Sequence, residues 1–244
     1  MNDSWKIVAG SVAGTSHAQR GTVCQDYGHA VAVGPALVAV CADGAGSAPR
    51  SDTGARLACM AFLRTTALAL RVGIGPEGRL IEWFGAARRA VSMEACVSGA
   101  PLREYACTLL GAVITEEAAH FAQIGDGAMA YEDGEAWRVA VWPQSGEYAN
   151  TTNFLTGADW EQEVETAVVR SRVPGVALFT DGLQSLALHQ ATRSAHRPFF
   201  APLIDQLRRS DDASRLHGPL LSWLDSKPVN DRTDDDKTLI LAAR

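Results

Sequence analysis

No run of apolar residues in the sequence reaches the ~18 needed to cross a membrane. The N-terminus, MNDSWKIVAGSVAG, has no basic start followed by a long apolar stretch, so a signal peptide is not expected. There is no C-x-x-C pair; the five cysteines (Cys24, Cys41, Cys59, Cys96 and Cys107) are odd in number and scattered. That argues against a disulfide framework and a zinc cluster, and reads as small buried thiols in a reducing cytoplasm. Positive charge is in deficit, with 22 Lys and Arg against 28 Asp and Glu, a net charge of −6. No basic stripe is left to neutralise a phosphate backbone, so neither nucleic acid nor a membrane is expected as the main partner. Internal repeats and low-complexity linkers are also missing.

What is present is a core. Hydrophobic residues make up 47% of 244, enough for one globular domain over residues 1–244. Residues 5–13, 28–34 and 36–42 read as short strands punctuated by Gly and Pro. Helical patterns follow at 53–72 and 78–97, broken between by Gly73, Gly75 and Pro76. Arg56, Arg64 and Arg71 share one face of the first, which reads as a solvated edge of a core helix rather than a binding patch. Residues 106–114, 118–125, 128–134 and 136–142 read as a four-strand antiparallel meander, with a turn at Asp133-Gly134. A polar stretch at 143–160 is long enough to be functional. Then come a strand within 173–183, helical spacing at Phe200, Leu203, Ile204 and Leu207, a short helix near Pro219, and a last strand at 237–243. Strands and helices do not alternate regularly, so an α+β layered sandwich is expected rather than a parallel α/β fold.

Four aspartates sit at strand ends. Asp43 closes ALVAVCAD and Asp181 closes VALFTD; Asp26 precedes a strand in VCQDYGHAVAV, and Asp235 precedes another in RTDDDKTLIL. Gly44 and Gly182 follow the first two, allowing a sharp turn and a close carbonyl approach. Carboxylates gathered at one sheet end repel one another and lose solvation unless a cation compensates. Oxygen-only ligands select hard cations such as Mg²⁺ or Mn²⁺. Two such ions about 4 Å apart can activate a bridging water for in-line attack on phosphorus. A single Asp-Gly is more often a turn, so spacing alone leaves a turn reading and a metal-site reading side by side.

At these residues the chain resembles the type 2C family of metal-dependent serine/threonine protein phosphatases, and its bacterial branch most. GTSHAQRGTVCQDYG, CADGAGS, YACTLLGAVI, QIGDGAMAY, FTDGL and TDDDKTLIL resemble six motifs of that family, in order, over residues 14 to 241. The resemblance implies a four-layer α-β-β-α sandwich with two central antiparallel sheets and metals at one edge. It implies two or three Mn²⁺ or Mg²⁺ ions and a catalytic set of Asp43, Asp181 and Asp235. Asp43 would bridge two metals, the Gly44 carbonyl would bind one, and Asp181 and Asp235 would complete the first. Asp26 would serve the second, and Asp126 a third, where the competing reading is a hairpin turn. The segment GEYANTTNFLT falls where bacterial members place a flap, here expected at about 143–172, with Thr151, Thr152 and Asn153 as possible substrate contacts. Three positions depart from the pattern. Gly21 stands where an arginine often holds the substrate phosphate, leaving Arg20 or His17 for that task, with Arg50 a further cation beyond the loop. Gln25 replaces a common Glu before Asp26. Ala45 replaces the histidine that serves eukaryotic members as general acid.

The expected activity is cytoplasmic hydrolysis of phosphoserine and phosphothreonine in proteins by a hydroxide bridging two metals. The partner would be a phosphorylated protein, a cognate Ser/Thr kinase or its target. The alternatives are a pseudophosphatase that binds a phosphoprotein or kinase without turnover, and a two-metal phosphodiesterase acting on nucleotides. A phosphatase with an aspartyl nucleophile ranks lower, because Gly44 and Ala45 follow Asp43 where that chemistry uses Asp-x-Asp.

Overall fold

The computed structural model describes residues 4–144 and 152–244. In chain order the first half contains β1 (Lys6–Val12), α1 (Thr15–Arg20), β2 (Tyr27–Val33), β3 (Ala36–Ala42), α2 (Ser51–Arg71), α3 (Leu80–Ser98), β4 (Leu109–Ile114) and β5 (Ala119–Ile124). Then follow β6 (Ala128–Asp133), β7 (Ala136–Val141), α4 (Trp160–Glu163), β8 (Glu165–Val169), β9 (Gly175–Phe179) and α5 (Gln184–Ala187). The chain ends with a small hairpin of β10 (Leu188–His189) and β11 (Ser194–Ala195), then α6 (Arg197–Arg209), α7 (His217–Leu224), α8 (Lys227–Asn230) and β12 (Lys237–Ala243).

Two five-stranded antiparallel sheets face each other, ordered β1-β12-β9-β6-β7 and β2-β3-β4-β5-β8. Between them lie Leu37, Leu110, Phe121, Met129, Leu178 and Ile240. On the outer face of the second sheet, α2 and α3 bury Phe62, Trp83 and Phe84 against Val38, Val40 and Leu109. On the outer face of the first, α6 and α7 cover Phe179 and Leu239 with Phe200, Ile204 and Leu220. Every residue of β3, β4, β5, β9 and β12 is buried, because these strands are covered on both faces. The result is the expected α-β-β-α sandwich.

One expectation is corrected. The four strands read as a meander are split between the sheets: β4 pairs with β5, and β6 pairs with β7 and β9. The chain crosses from one sheet to the other at Gly125-Asp126-Gly127. Gly125 adopts φ +110°, and a Cβ there would overlap the Thr108 side chain. Gln123, fully buried, donates from Nε2 to the Gly125 and Gly127 carbonyls at 3.1 and 3.0 Å and so staples the crossing. Strands buried on both faces lack the polar alternation that would assign them to one sheet or the other.

The segment expected as a flap is divided. Its early part, 145–151, with Thr151, lies outside the described residues. Further along, α4 and β8 fall within it, and β8 pairs with the edge of β5.

Candidate metal centre

Antiparallel pairing places all five predicted aspartates at one end of the sandwich. Asp43 follows β3 and Asp181 follows β9; Asp26 precedes β2 and Asp235 precedes β12; Asp126 lies between β5 and β6. The pairs Tyr27 with Ala42, Phe179 with Leu239 and Ala128 with Phe179 put those strand ends side by side. Carboxylate oxygens of Asp43, Asp126 and Asp181 come within 4.8 Å of one another. Asp26 is buried at 6% exposure, with Oδ2 accepting from the Thr180 hydroxyl at 2.6 Å. Asp235 is exposed, yet its charge acts on both Asp43 and Asp181.

The loop after β3 is held from both sides. The Asp43 N–H donates to Thr108 Oγ1 at 2.9 Å, and the Thr108 N–H returns to the Asp43 carbonyl at 2.8 Å. The Gly44 N–H donates to the Gln25 carbonyl at 3.1 Å, and the Ala45 N–H to the Ala106 carbonyl at 2.9 Å. A Cβ on Gly44 would lie 2.7 Å from the Gln25 carbonyl oxygen, so only glycine fits. Asp126 is fixed by the Thr152 hydroxyl, which donates to its Oδ2 at 2.8 Å, and by Gln184 Nε2, which donates to its carbonyl.

Such crowding is costly for bare carboxylates. Burial, then the charges of Asp26 and Asp181, push the Asp43 carboxyl well above the usual range. Burial raises Asp26 to about 7, against the pull of the Thr180 hydrogen bond. Burial, then Asp126 and Asp235, raise Asp181 to about 8. Among the described residues, Asp26 Oδ1 and Asp126 Oδ1 are buried without a hydrogen-bond partner. Buried carboxyl oxygens without partners beside an all-oxygen cluster fit a hard divalent cation, which removes the repulsion and supplies the missing partner.

A stability prediction follows. These carboxyls have native pKa values raised above the unfolded value of 3.8. The folded metal-free chain therefore holds protons that the unfolded chain has released, and its stability falls as pH rises through the window from about 4 to about 8. Thermal melts of the chelated protein should lose several degrees between about pH 5 and pH 8, and Mn²⁺ should stabilise it far more at the alkaline end. A chelated melting temperature that does not fall across that window would contradict the crowding.

Of the proposed phosphate contacts, Arg20 lies exposed on the last turn of α1, whereas His17 is buried and its Nδ1 pairs with Asp236 Oδ1 at 2.9 Å. Arg50 is engaged with Glu104 at 3.3 Å and with the Tyr105 hydroxyl at 3.2 Å. Sequence reasoning missed Asp236, which is 2% exposed. It also accepts from the Gly14 N–H at 2.7 Å and, on Oδ2, from the Gln25 N–H at 2.6 Å. It thus ties α1 and the loop bearing Asp26 to the start of β12. Thr180 and Thr108, which orient Asp26 and Asp43, were missed as well. The available signal was a threonine directly before Asp181 and another within YACTLLGAVI.

Fold and site together define a metal-dependent phosphatase of the two-sheet sandwich type. The family model for protein phosphatase 2C matches residues 13–225, and the chain belongs to that family. Serine/threonine-protein phosphatase 3 of Escherichia coli (strain K12) is 35% identical over 249 aligned residues, which cover 98% of each chain. Among solved structures, serine/threonine phosphatase Stp1 from Staphylococcus aureus matches with a TM-score of 0.67 at 15% identity, over 99% of this chain and 95% of that one. PppA, a key regulatory component of T6SS in Pseudomonas aeruginosa, matches with a TM-score of 0.64 at 18% identity, over 98% and 97%. Among the described residues no helix is long and apolar enough to cross a membrane.

Proposed function

We infer that the chain hydrolyses phosphoserine and phosphothreonine in proteins, using Mn²⁺ or Mg²⁺. The observation that carries this is the convergence of Asp43, Asp126 and Asp181 at the sheet edge. Asp43 and the Gly44 carbonyl would hold two ions between them, with Asp181 and Asp235 completing the first, Asp26 serving the second and Asp126 a third. When bound, the ions supply Lewis-acid activation of water and charge neutralisation for in-line attack on phosphorus. The chain's own part is positioning. Thr180 fixes the Asp26 carboxylate, Thr108 fixes the backbone of Asp43, and Asp236 holds both strand approaches in register.

Beside the site runs a groove of about 390 Å³ lined by Arg103, Ala106, Thr152, Phe154 and Trp160, with room for the residues flanking a phosphoresidue. Arg20 is the cation assigned to the phosphate, because it is exposed, whereas His17 is buried with Nδ1 committed to Asp236. With Ala45 following Gly44, no side chain at that position can protonate the leaving oxygen. The counterpart would be a Ser/Thr kinase or its target in the cytoplasm.

The test is hydrolysis of p-nitrophenyl phosphate and of a phosphothreonine peptide, with Mn²⁺ and after exhaustive chelation. Chelation should lower the rate by ~10³-fold or more, and Mn²⁺ should restore it. Undiminished activity after chelation would overturn the reading. Absence of Mn²⁺ binding by calorimetry, together with absence of turnover, would favour a phosphoprotein-binding module instead.

A further inference from the structure

The arginine row of α2 faces a sheet edge. β2 pairs with β3 on one side, and among the described residues no strand pairs with it on the other. Its outward hydrogen-bonding groups can be assigned. The Ala30 N–H is accepted by the side chain of the preceding residue, His29 Nδ1, at 2.9 Å, so it points away from β3. Alternate residues of an antiparallel strand point the same way, so Gly28 and Ala32 present their groups along the same edge. An unpaired edge of this kind is a template for another strand.

A groove opens on each face of that edge, with Ala30 itself 6% exposed between them. Toward α2 lies a groove of about 790 Å³, where Arg64, Arg71, Leu57 and Leu68 meet His29 and Val31 of β2. Leu68 is 62% exposed there. Arg56, one turn into α2, acts electrostatically on the Tyr27 phenol at the start of β2. All three arginines are exposed, and among the described residues none is in an ion pair with a carboxylate. On the opposite face, between β2 and β1, a second groove of about 420 Å³ is lined by Ile7, Ala9 and Ala30. A net charge of −6 makes this basic row a local exception that selects an acidic occupant.

We propose that β2 is a docking edge for an extended segment of a partner protein carrying acidic side chains at alternate positions. Main-chain bonds to Gly28, Ala30 and Ala32 give affinity, with the His29 side chain displaced from the Ala30 N–H. Acidic side chains facing α2 meet Arg56, Arg64 and Arg71; the intervening ones enter the groove against β1. An oligonucleotide satisfies the arginines but cannot complete the strand pairing. The edge begins one residue beyond Asp26 and runs away from the carboxylates, so docking leaves the metal edge open. The assignment stands apart from the phosphatase reading.

The experiment uses the full chain, labelled with ¹⁵N, and a short synthetic peptide alternating Glu and Val. The expected result is that the Gly28, Ala30 and Ala32 amides shift on titration, that a Lys-Val peptide does not bind, and that Arg64→Glu with Arg71→Glu weakens binding ~10-fold or more. Ala32→Pro removes an outward donor at an exposed position of an edge strand, where proline is tolerated, and should abolish binding. Hydrolysis of p-nitrophenyl phosphate should be unchanged in both variants, which separates failure of docking from failure of catalysis. The proposal is overturned by absence of binding, by binding insensitive to both variants, by shifts confined to the aspartate edge, or by oligothymidylate competing as well as the peptide.

Discussion

Asp43→Asn is expected to abolish phosphoester hydrolysis while making the metal-free protein more stable. Asp43 sits where the charges of Asp26, Asp181 and Asp235 converge, and burial already drives its carboxyl far above the ordinary range. Asparagine keeps the shape and removes the charge. Without metal, the cost of burying this carboxyl among like charges disappears, and the melting temperature at about pH 8 should rise by ~3 °C or more. With metal, the anionic oxygens that would hold two ions are gone, and kcat/KM toward a phosphothreonine peptide should fall by ~10³-fold or more. The two effects have opposite signs, so a variant that is merely misfolded is told apart at once. Wild-type activity in Asp43→Asn, or a metal-free protein less stable than wild type, would contradict the assignment.

Asp236→Asn should behave differently, because the Asp236 oxygens are taken up by buried donors that brace the site. Its oxygens accept from Gly14 N–H, His17 Nδ1 and Gln25 N–H, all buried. An amide turns one acceptor into a donor facing a backbone N–H, which no rotation of the side chain repairs. Leaving such a donor unsatisfied in the interior costs about 2–4 kcal/mol. For a chain of this size that is a fall of roughly 10 °C in melting temperature, with or without Mn²⁺. Asp26 is carried on the residue after Gln25, so the apparent Mn²⁺ affinity should weaken as well. A melting temperature within about a degree of wild type would show that these three hydrogen bonds do not hold the two strand approaches together.

The strands and long helices were legible because their patterns are local. α2 and α3 fall at Ser51–Arg71 and Leu80–Ser98, close to the expected 53–72 and 78–97. The strand-end aspartates were legible because an apolar run that stops at Asp-Gly has few structural explanations. The partition of strands between sheets was not legible. β4 and β5 are buried throughout, so nothing in LLGAVI or AHFAQI marks a face. β8 was missed for the opposite reason: ETAVV is an edge strand with no fully buried residue, and it carries no apolar alternation to read. In TDDDKTLIL, three successive aspartates are chemically equivalent as text, but the structure exposes Asp235 and buries Asp236 under three donors. The supporting hydroxyls of Thr180 and Thr108 act through contacts 154 and 65 residues away in the chain, a separation that periodicity cannot see. The arginines of α2 were legible as one face, and only the fold shows that β2 lies against that face.

The most direct test of the central claim is anomalous diffraction from crystals grown with Mn²⁺. At least two Mn²⁺ peaks are expected at the sheet edge, with Asp43 contacting both and Asp181 and Asp235 contacting one. Asp26 and Asp126, whose Oδ1 atoms are buried without partners among the described residues, should turn those oxygens toward ions or their bound waters. Crystals without an anomalous peak among these five aspartates, grown from protein that hydrolyses phosphothreonine peptides in the same buffer, would contradict it.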